Sequence, residues 1–412
     1  MKILHICTWD TDGGAAIAAV RHCEAMKHAG YESEMLVLLK HSGNLSVFEA
    51  ISNKIELRVK RSYYGRRNSR QFEHENPYAD WSYSVYGFDI SKHPKVKNAD
   101  VVVLHWINSN FLSIKGIGNL MKSHPNLVWY LHDMWPMTGG CHYALGCEKF
   151  KFGCKKCPMF NQRSGSNKDK DASYLQFREK INNWSCNGNI RILAPSQWLC
   201  DLAKKSLLFK NRECSVLRNP VPTRIFKPLD KTFARHALNL PLNQNLILFG
   251  AAAATNAYKG WPYLADALKM LRSDATGCIV FGNNSNDTSS YDTTLSVYPV
   301  GRYQDPLSLA LLYNAADAFV TPSVADNYPN VLIEAMACGT PSIGFKIGGI
   351  PEIINDGKSG ILANSVSSES LCEAIQRYFK SDIDGMSHES VNQIQKTNSY
   401  EAMKAKYIEY FG

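Results

Sequence analysis

Lys2-Ile3-Leu4-His5-Ile6-Cys7-Thr8, then Gly13-Gly14, an alanine-rich run over residues 15–29 stopped by Gly30, and a second apolar run over 31–39 decide the fold. A short apolar strand, a glycine loop, an amphipathic helix and another strand make a βαβ unit, which implies a parallel sheet with helices on its faces. The same alternation continues with strands expected at 101–106, 127–132 and 190–195. It is interrupted by Asn219-Pro220-Val221-Pro222 and Phe226-Lys227-Pro228, an extended proline-rich stretch of the kind that joins domains. It then restarts. Strands are expected at 245–252, 277–282, 318–321 and 341–345, and helices at 261–271, 306–315, 330–338 and 400–410. Asp305-Pro306 reads as an N-cap followed by proline at the first helical position, and Gly339 as a helix stop.

The expected architecture is α/β: two Rossmann-like domains with parallel sheets facing an interdomain cleft. The boundaries read as 1–218 for an N-terminal domain, 219–230 for a linker, 231–396 for a C-terminal domain, and 397–412 for a terminal helix packing back on the first domain.

Composition agrees with a globular protein of that size, at 412 residues with 45% apolar and 20% charged. No apolar run approaches the roughly 18 residues of a membrane helix. The first strand is not followed by a small-residue cleavage site, so a cytoplasmic location is expected. The net charge of +9 suits an anionic partner, or only aids solubility. Eight of the twelve cysteines are scattered, several of them in apolar runs, where they act as small hydrophobes.

The chemistry concentrates in Pro322-Ser323-Val324-Ala325-Asp326-Asn327-Tyr328-Pro329-Asn330-Val331-Leu332-Ile333-Glu334-Ala335-Met336-Ala337-Cys338-Gly339-Thr340-Pro341. A strand ends, a polar turn follows, and a helix opens near Asn330. Free amides at a helix start hold anions. Asp326 before the helix and Glu334 one turn inside it flank that place, and carboxylates accept from sugar hydroxyls. A capped helix with solvated acids is the plainer alternative.

This segment resembles the signature of family 4 glycosyltransferases, an acid separated by seven residues from a glutamate within E-x-x-P-N-V-x-x-E-A-M-A-x-G-x-P. Pro329-Asn330-Val331, Glu334-Ala335-Met336-Ala337, Gly339 and Pro341 match it, and Asp326 stands where glutamate is usual. The Asp326-Asn327 pair resembles the bacterial surface-polysaccharide branch, of the colanic acid and O-antigen type. The resemblance implies a GT-B fold and retention of anomeric configuration. It implies that Asp326 contacts the transferred sugar, that residues Asn327, Tyr328, Pro329, Asn330 and Val331 line the sugar and phosphate, and that Glu334 contacts the ribose. Tyr258-Lys259-Gly260 resembles the family element whose lysine binds the donor diphosphate, although the arginine often found a few residues earlier is missing here. Val300-Gly301-Arg302, residues 311–317 and Gly348-Gly349-Ile350-Pro351-Glu352 follow in family order.

In the N-terminal half, Gly13-Gly14 resembles the family's glycine loop near the donor, and is otherwise a tight turn. The dinucleotide fingerprint G-x-G-x-x-G is absent, which counts against a dehydrogenase. By resemblance His132, at a strand's carboxyl end, points toward the transferred sugar; a structural histidine is the alternative. Cys141, Cys147, Cys154 and Cys157, spaced C-x5-C-x6-C-x2-C, suggest a structural zinc site, with free thiols, a disulfide pair or an iron–sulfur cluster as alternatives. Residues 51–70 carry Ile51, Ile55, Val59 and Tyr63 on one helical stripe beside Lys54, Arg58, Arg61, Arg66, Arg67 and Arg70. That pattern suits an anionic membrane or a lipid diphosphate, or an ordinary surface helix. Nucleic acid is disfavoured, since no recognition motif accompanies the charge.

The expected function is retaining transfer of a sugar from a nucleoside diphosphate donor, a uridine diphosphate sugar favoured, to a growing and lipid-linked bacterial surface glycan. Catalysis would use His132, Asp326 and Lys259 and require no cofactor, since Lys259 and helix amides take the charge of the departing diphosphate. The location would be cytoplasmic, or peripheral on the inner face of the plasma membrane. A nucleotide-sugar epimerase and a non-catalytic nucleotide-binding assembly factor are the alternatives.

Overall fold

The computed structural model describes residues 1–69, 80–160, 170–184, 190–253, 257–271, 276–283, 296–303 and 305–412. Arg70 and the alanine-to-asparagine segment 254–256 lie outside the described residues. The chain divides into two compact units, Met1–Leu217 and Arg218–Gly412. Among the described residues no helix is long and apolar enough to cross a membrane.

The first unit contains strands β1 (Lys2–Trp9), β2 (Glu32–Leu39), β3 (Val47–Glu49), β4 (Val101–Leu104), β5 (Leu127–Tyr130), β6 (Ile190–Ala194) and β7 (Cys214–Val216). Its helices are α1 (Gly14–His28), α2 (Lys54–Ser69), α3 (Pro94–Lys97), α4 (Ile114–Ser123), α5 (Ala172–Trp184) and α6 (Gln197–Lys205). The strands form one seven-stranded sheet in the order β3-β2-β1-β4-β5-β6-β7, parallel at each pairing. β4 and β5 are buried along their whole length, as strands covered on both faces must be.

The second unit contains β8 (Asn245–Ala253), β9 (Thr276–Asn283), β10 (Val297–Gly301), β11 (Ala318–Thr321), β12 (Ser342–Phe345) and β13 (Gly360–Ala363). Its helices are α7 (Lys231–Ala237), α8 (Trp261–Leu271), α9 (Pro306–Ala315), α10 (Asn330–Ala337), α11 (Ser368–Phe379), α12 (Ile383–Thr397) and α13 (Tyr400–Phe411). The six strands are again parallel, in the order β10-β9-β8-β11-β12-β13. Both sheets reverse their strand order once, between β1 and β4 in the first and between β8 and β11 in the second. Loops leaving the carboxyl ends of the flanking strands diverge there and open a crevice, the usual ligand position in open α/β sheets.

The expected helix start at Asp305-Pro306 is present, with the Asp305 carboxylate accepting from the Ser308 amide at 2.8 Å. The proline-rich stretch after Asn219 belongs to the second unit's core. Val221 and Phe226 are fully buried, and Val221 donates its amide to the Asn398 carbonyl at 2.8 Å. Helix α13 lies within the same unit and packs on α12.

Two glycines fix how closely the loops of the second unit approach. Gly260 has φ +77°, and a β-carbon there would lie 1.8 Å from the Pro322 carbonyl oxygen. Gly348 has φ +56°, and a β-carbon would lie 1.9 Å from the Asp326 carbonyl oxygen. No side chain fits at either position without moving backbone.

Phe226→Ala should therefore lower stability by about 3–5 kcal/mol, the range for a buried phenylalanine, read as a shift in the urea midpoint. A change as small as that of a surface substitution would show that the stretch is a free linker. Gly260→Val should destabilise by on the order of 1–3 kcal/mol in the same assay, and a neutral result would contradict the close approach to Pro322.

Candidate functional site

The reversal between β8 and β11 in the second unit gathers the residues singled out in the sequence. The turn Ala257–Lys259 follows β8, and the loop holding Asp326 follows β11. The two are stitched together, because the Val324 amide donates to the Tyr258 carbonyl at 2.8 Å. Gly260 permits that approach. Its result is an ion pair: the Lys259 ammonium lies 2.7 Å from Asp326 Oδ2. Asp326 Oδ1 accepts from the Asn327 amide at 3.0 Å, and Ser323 Oγ donates to Oδ2 at 3.4 Å. Asp326 is buried, and Lys259 remains partly open to solvent.

Helix α10 begins just beyond. Pro329 occupies its N-cap with extended backbone and makes no side-chain cap. The side chains of the turn are held by a buried amide network. Asn219 Nδ2 donates to the Tyr328 carbonyl at 3.1 Å and to Asn330 Oδ1 at 3.0 Å, and Asn398 Nδ2 donates to the Asn219 carbonyl at 2.7 Å. Tyr328 packs in the apolar core, and burial raises its phenol pKa. Tyr328 and Asn330 thus shape the turn through their side chains. Val331 is half-buried on the same helix.

Glu334, one turn into α10, is buried and accepts from the Tyr313 hydroxyl at 2.6 Å. This explains part of the 311–317 motif. Asn314 Nδ2 donates to the Lys227 carbonyl at 3.0 Å, and Asp317 pairs with the buried Arg235 at 2.7 Å. The motif supports the site without forming it. Asn398 was not singled out in the sequence, and Asn219 and Tyr313 stood there only within the proline-rich stretch and the 311–317 segment, with no part in the site; their signal was a polar residue beside or inside an apolar run.

In the first unit Gly13 precedes α1, and a β-carbon added there would meet nothing within 4 Å. Gly14 is the first helical residue. His132 stands beyond the carboxyl end of β5, half-buried, with Nε2 3.0 Å from His105 Nδ1. Burial lowers its pKa to about 4 against the opposing pull of Asp133. Asp133 turns away to other partners. Its carboxylate lies 2.6 Å from His142 Nδ1 and accepts from Trp106 Nε1 at 3.1 Å and the Trp135 amide at 2.8 Å. Burial opposes its ionisation, but His142 and the Trp135 amide bring the net pKa below the usual value.

The cysteine spacing suggested zinc, and the structure does not support it. Among the described residues no group of three His, Cys, Asp or Glu is placed to hold a metal ion. Cys147 and Cys154 pack against the main core of the first unit. Cys141 and Cys157 pack instead in a small cluster with Trp81 and Met159. Burial pushes the Cys157 thiol to about 11 and the Cys154 thiol to about 12. The thiols of Cys154, Cys157 and Cys147 lie near enough to Cys141 to add to the effect of burial in raising its pKa.

Residues 244–381 match the family described as Glycosyl transferases group 1. The chain is 28% identical over 292 residues to the putative colanic acid biosynthesis glycosyl transferase WcaC of Escherichia coli K12, covering 68% of this chain and 67% of that one. It is 30% identical over 159 residues to a D-inositol 3-phosphate glycosyltransferase of Segniliparus rotundus, covering 35% of this chain and 34% of that one. Among solved structures, Anabaena HepE in complex with UDP-glucose superposes with a TM-score of 0.65 at 15% identity, covering 100% of this chain and 99% of that one. The last likeness establishes the fold: two parallel-sheet, Rossmann-like units. Residues 244–381 form a group 1 glycosyltransferase domain, and both units have the Rossmann-like build of the GT-B fold.

Proposed function

We propose that the chain transfers a sugar from a nucleoside diphosphate donor, a uridine diphosphate sugar being favoured, to a growing, lipid-linked bacterial surface glycan, with retention of anomeric configuration. The observation that carries this reading is the Lys259–Asp326 pair beside the N-terminus of α10, at the strand-order reversal. An ammonium and a helix start attract the diphosphate, and carboxylates on either side accept from hydroxyls. Lys259 binds the phosphates, Asp326 the transferred sugar and Glu334 the ribose. Backbone from Asn327 to Val331 lines the donor, and Gly13, Gly14 and His132 contribute further contacts to it.

The polysaccharide assignment is supported by the likeness to the colanic acid protein. The preference for a uridine nucleotide is supported by the UDP-glucose complex of HepE. The acceptor hydroxyl oxygen forms a bond to the anomeric carbon while the bond from that carbon to the phosphate oxygen breaks. The hydroxyl proton passes to the departing diphosphate, whose charge Lys259 and the helix amides stabilise.

The reading places the protein in the cytoplasm, touching the inner face of the plasma membrane. Ile55, Val59 and Tyr63 are 76%, 62% and 52% exposed on α2, beside Lys54, Arg58, Arg61, Arg66 and Arg67, which suits an anionic bilayer surface.

Lys259→Ala and Asp326→Ala should each lower transfer by on the order of a hundredfold, the scale for losing one charge-stabilising group. Glu334→Ala should chiefly raise the donor KM. Normal transfer in all three would remove the site assignment. In a thermal-shift panel of nucleotide sugars the true donor should raise the melting point. Release of an altered sugar with no acceptor present would point instead to an epimerase. On vesicles, Ile55→Ser combined with Val59→Ser should reduce sedimentation with anionic lipid, and unchanged sedimentation would contradict membrane docking through α2.

A further inference from the structure

His5, His105 and His132 form a continuous line of imidazoles in the first unit. β1, β4 and β5 are neighbouring parallel strands, and the three residues climb diagonally across them. His5 lies within β1, His105 directly follows β4, and His132 stands just beyond β5. His5 Nδ1 is 2.9 Å from His105 Nε2, and His105 Nδ1 is 3.0 Å from His132 Nε2. Two rings hold the line in place: Tyr130 lies 5.5 Å from His105 and 5.1 Å from His132 between centroids, and His22 of α1 lies 6.0 Å from His105. The Tyr130 hydroxyl is itself anchored on the Leu217 carbonyl at 2.7 Å.

His5 and His105 are buried, where a charged ring would be left without water. Burial lowers the pKa of all three, to about 3 for His5 and about 4 for His132. The line therefore consists of neutral imidazoles, each carrying one N–H.

Two hydrogen bonds shared by three such rings allow only two arrangements. In one, His132 Nε2 donates to His105 and His105 Nε2 donates to His5, leaving the His5 proton on Nε2. That atom is buried and has no hydrogen-bond partner among the described residues. In the other, His5 Nδ1 donates to His105, His105 Nδ1 donates to His132 Nε2, and the His132 proton sits on Nδ1. An orphaned buried N–H is rarer and less favourable than a bare acceptor, so the second arrangement wins.

We propose that His5 and His105 are positioning residues that fix His132 as its Nδ1–H tautomer, so that it presents a hydrogen-bond donor to an oxygen of the bound sugar donor. The inference rests on the reading of His132 as a donor-contacting residue given above. The tautomer of a histidine is set by the bond its other nitrogen makes. Here that bond is dictated from the middle of β1, two rings away. A fixed N–H selects a lone pair on the ligand.

The test uses the full chain labelled with nitrogen-15 and long-range proton–nitrogen correlation spectra of its imidazoles, with the His132 ring assigned by its loss in His132→Gln. The expected spectrum shows His132 Nδ1 protonated and Nε2 bare. The reverse pattern would overturn the proposal. In His105→Leu the His132 ring should shift toward Nε2 protonation, and an unchanged tautomer would overturn it as well. In a transfer assay His105→Leu should lower kcat on the order of tenfold, as removal of groups that orient a functional histidine does, with little change in donor KM. His105→Asn, whose amide can take the place of Nδ1, should recover most of that loss, and failure to recover it would count against positioning. Should His105→Leu fail to fold, the wild-type spectrum alone decides. Normal transfer by His132→Gln would end the donor-contact reading, while the spectrum would still judge the tautomer.

Discussion

The second unit depends on two loops coming closer than side chains allow. Gly260 lies against the Pro322 carbonyl, Gly348 lies against the Asp326 carbonyl, and the Val324–Tyr258 hydrogen bond closes the gap. These contacts clamp the loop after β11 between the turn after β8 and the loop after β12. Lys259 can reach Asp326 only because the backbones meet. A lysine at the end of a flexible loop would lose the pair to entropy, since exposed ion pairs contribute little. Here one partner is buried and both loops are tied, so the charges are placed before any ligand arrives. Such preorganisation is what charge stabilisation of a departing phosphate requires.

The same economy governs the polar groups around the helix start. Asn219, Asn330 and Asn398 are buried amides drawn from three distant parts of the chain. Each would destabilise the unit if left unpaired. Together they fix the path of residues 328–330 and tie the stretch after Arg218 to the turn before α13. Tyr313 does the same for Glu334, anchoring one carboxylate oxygen.

The strand and helix pattern was legible because it is local. Residues 318–321 and 261–271 were bounded as the structure has them, since a buried strand and a helix with a clear apolar stripe announce themselves. The three-residue edge strands β3 and β7 were missed, because three residues show no period. The Lys259 and Asp326 neighbourhood was legible through glycine and motif order. The asparagine network was not, because its partners are separated by as many as 179 positions and no spacing links them. The surroundings of the cysteines were likewise not legible from spacing: Cys141 and Cys157 pack with Trp81 and Met159, and Cys147 and Cys154 against the main core.

His132 and Asp133 show how adjacent residues receive opposite electrostatic fates. Two such groups side by side would ordinarily pair, and the histidine would become a cation. Here the Asp133 carboxylate is satisfied by His142, Trp106 and the Trp135 amide, and its charge is directed to His142, whose pKa rises above the usual value. That diversion leaves the neighbouring ring to a line of neutral imidazoles running back into the sheet. The separation follows from the strand end. His132 continues the face shared with Tyr130, beside His105, whereas Asp133 turns toward the loop that carries His142. One step of backbone therefore divides an ionic pair from a neutral chain, and the sheet decides which residue joins which.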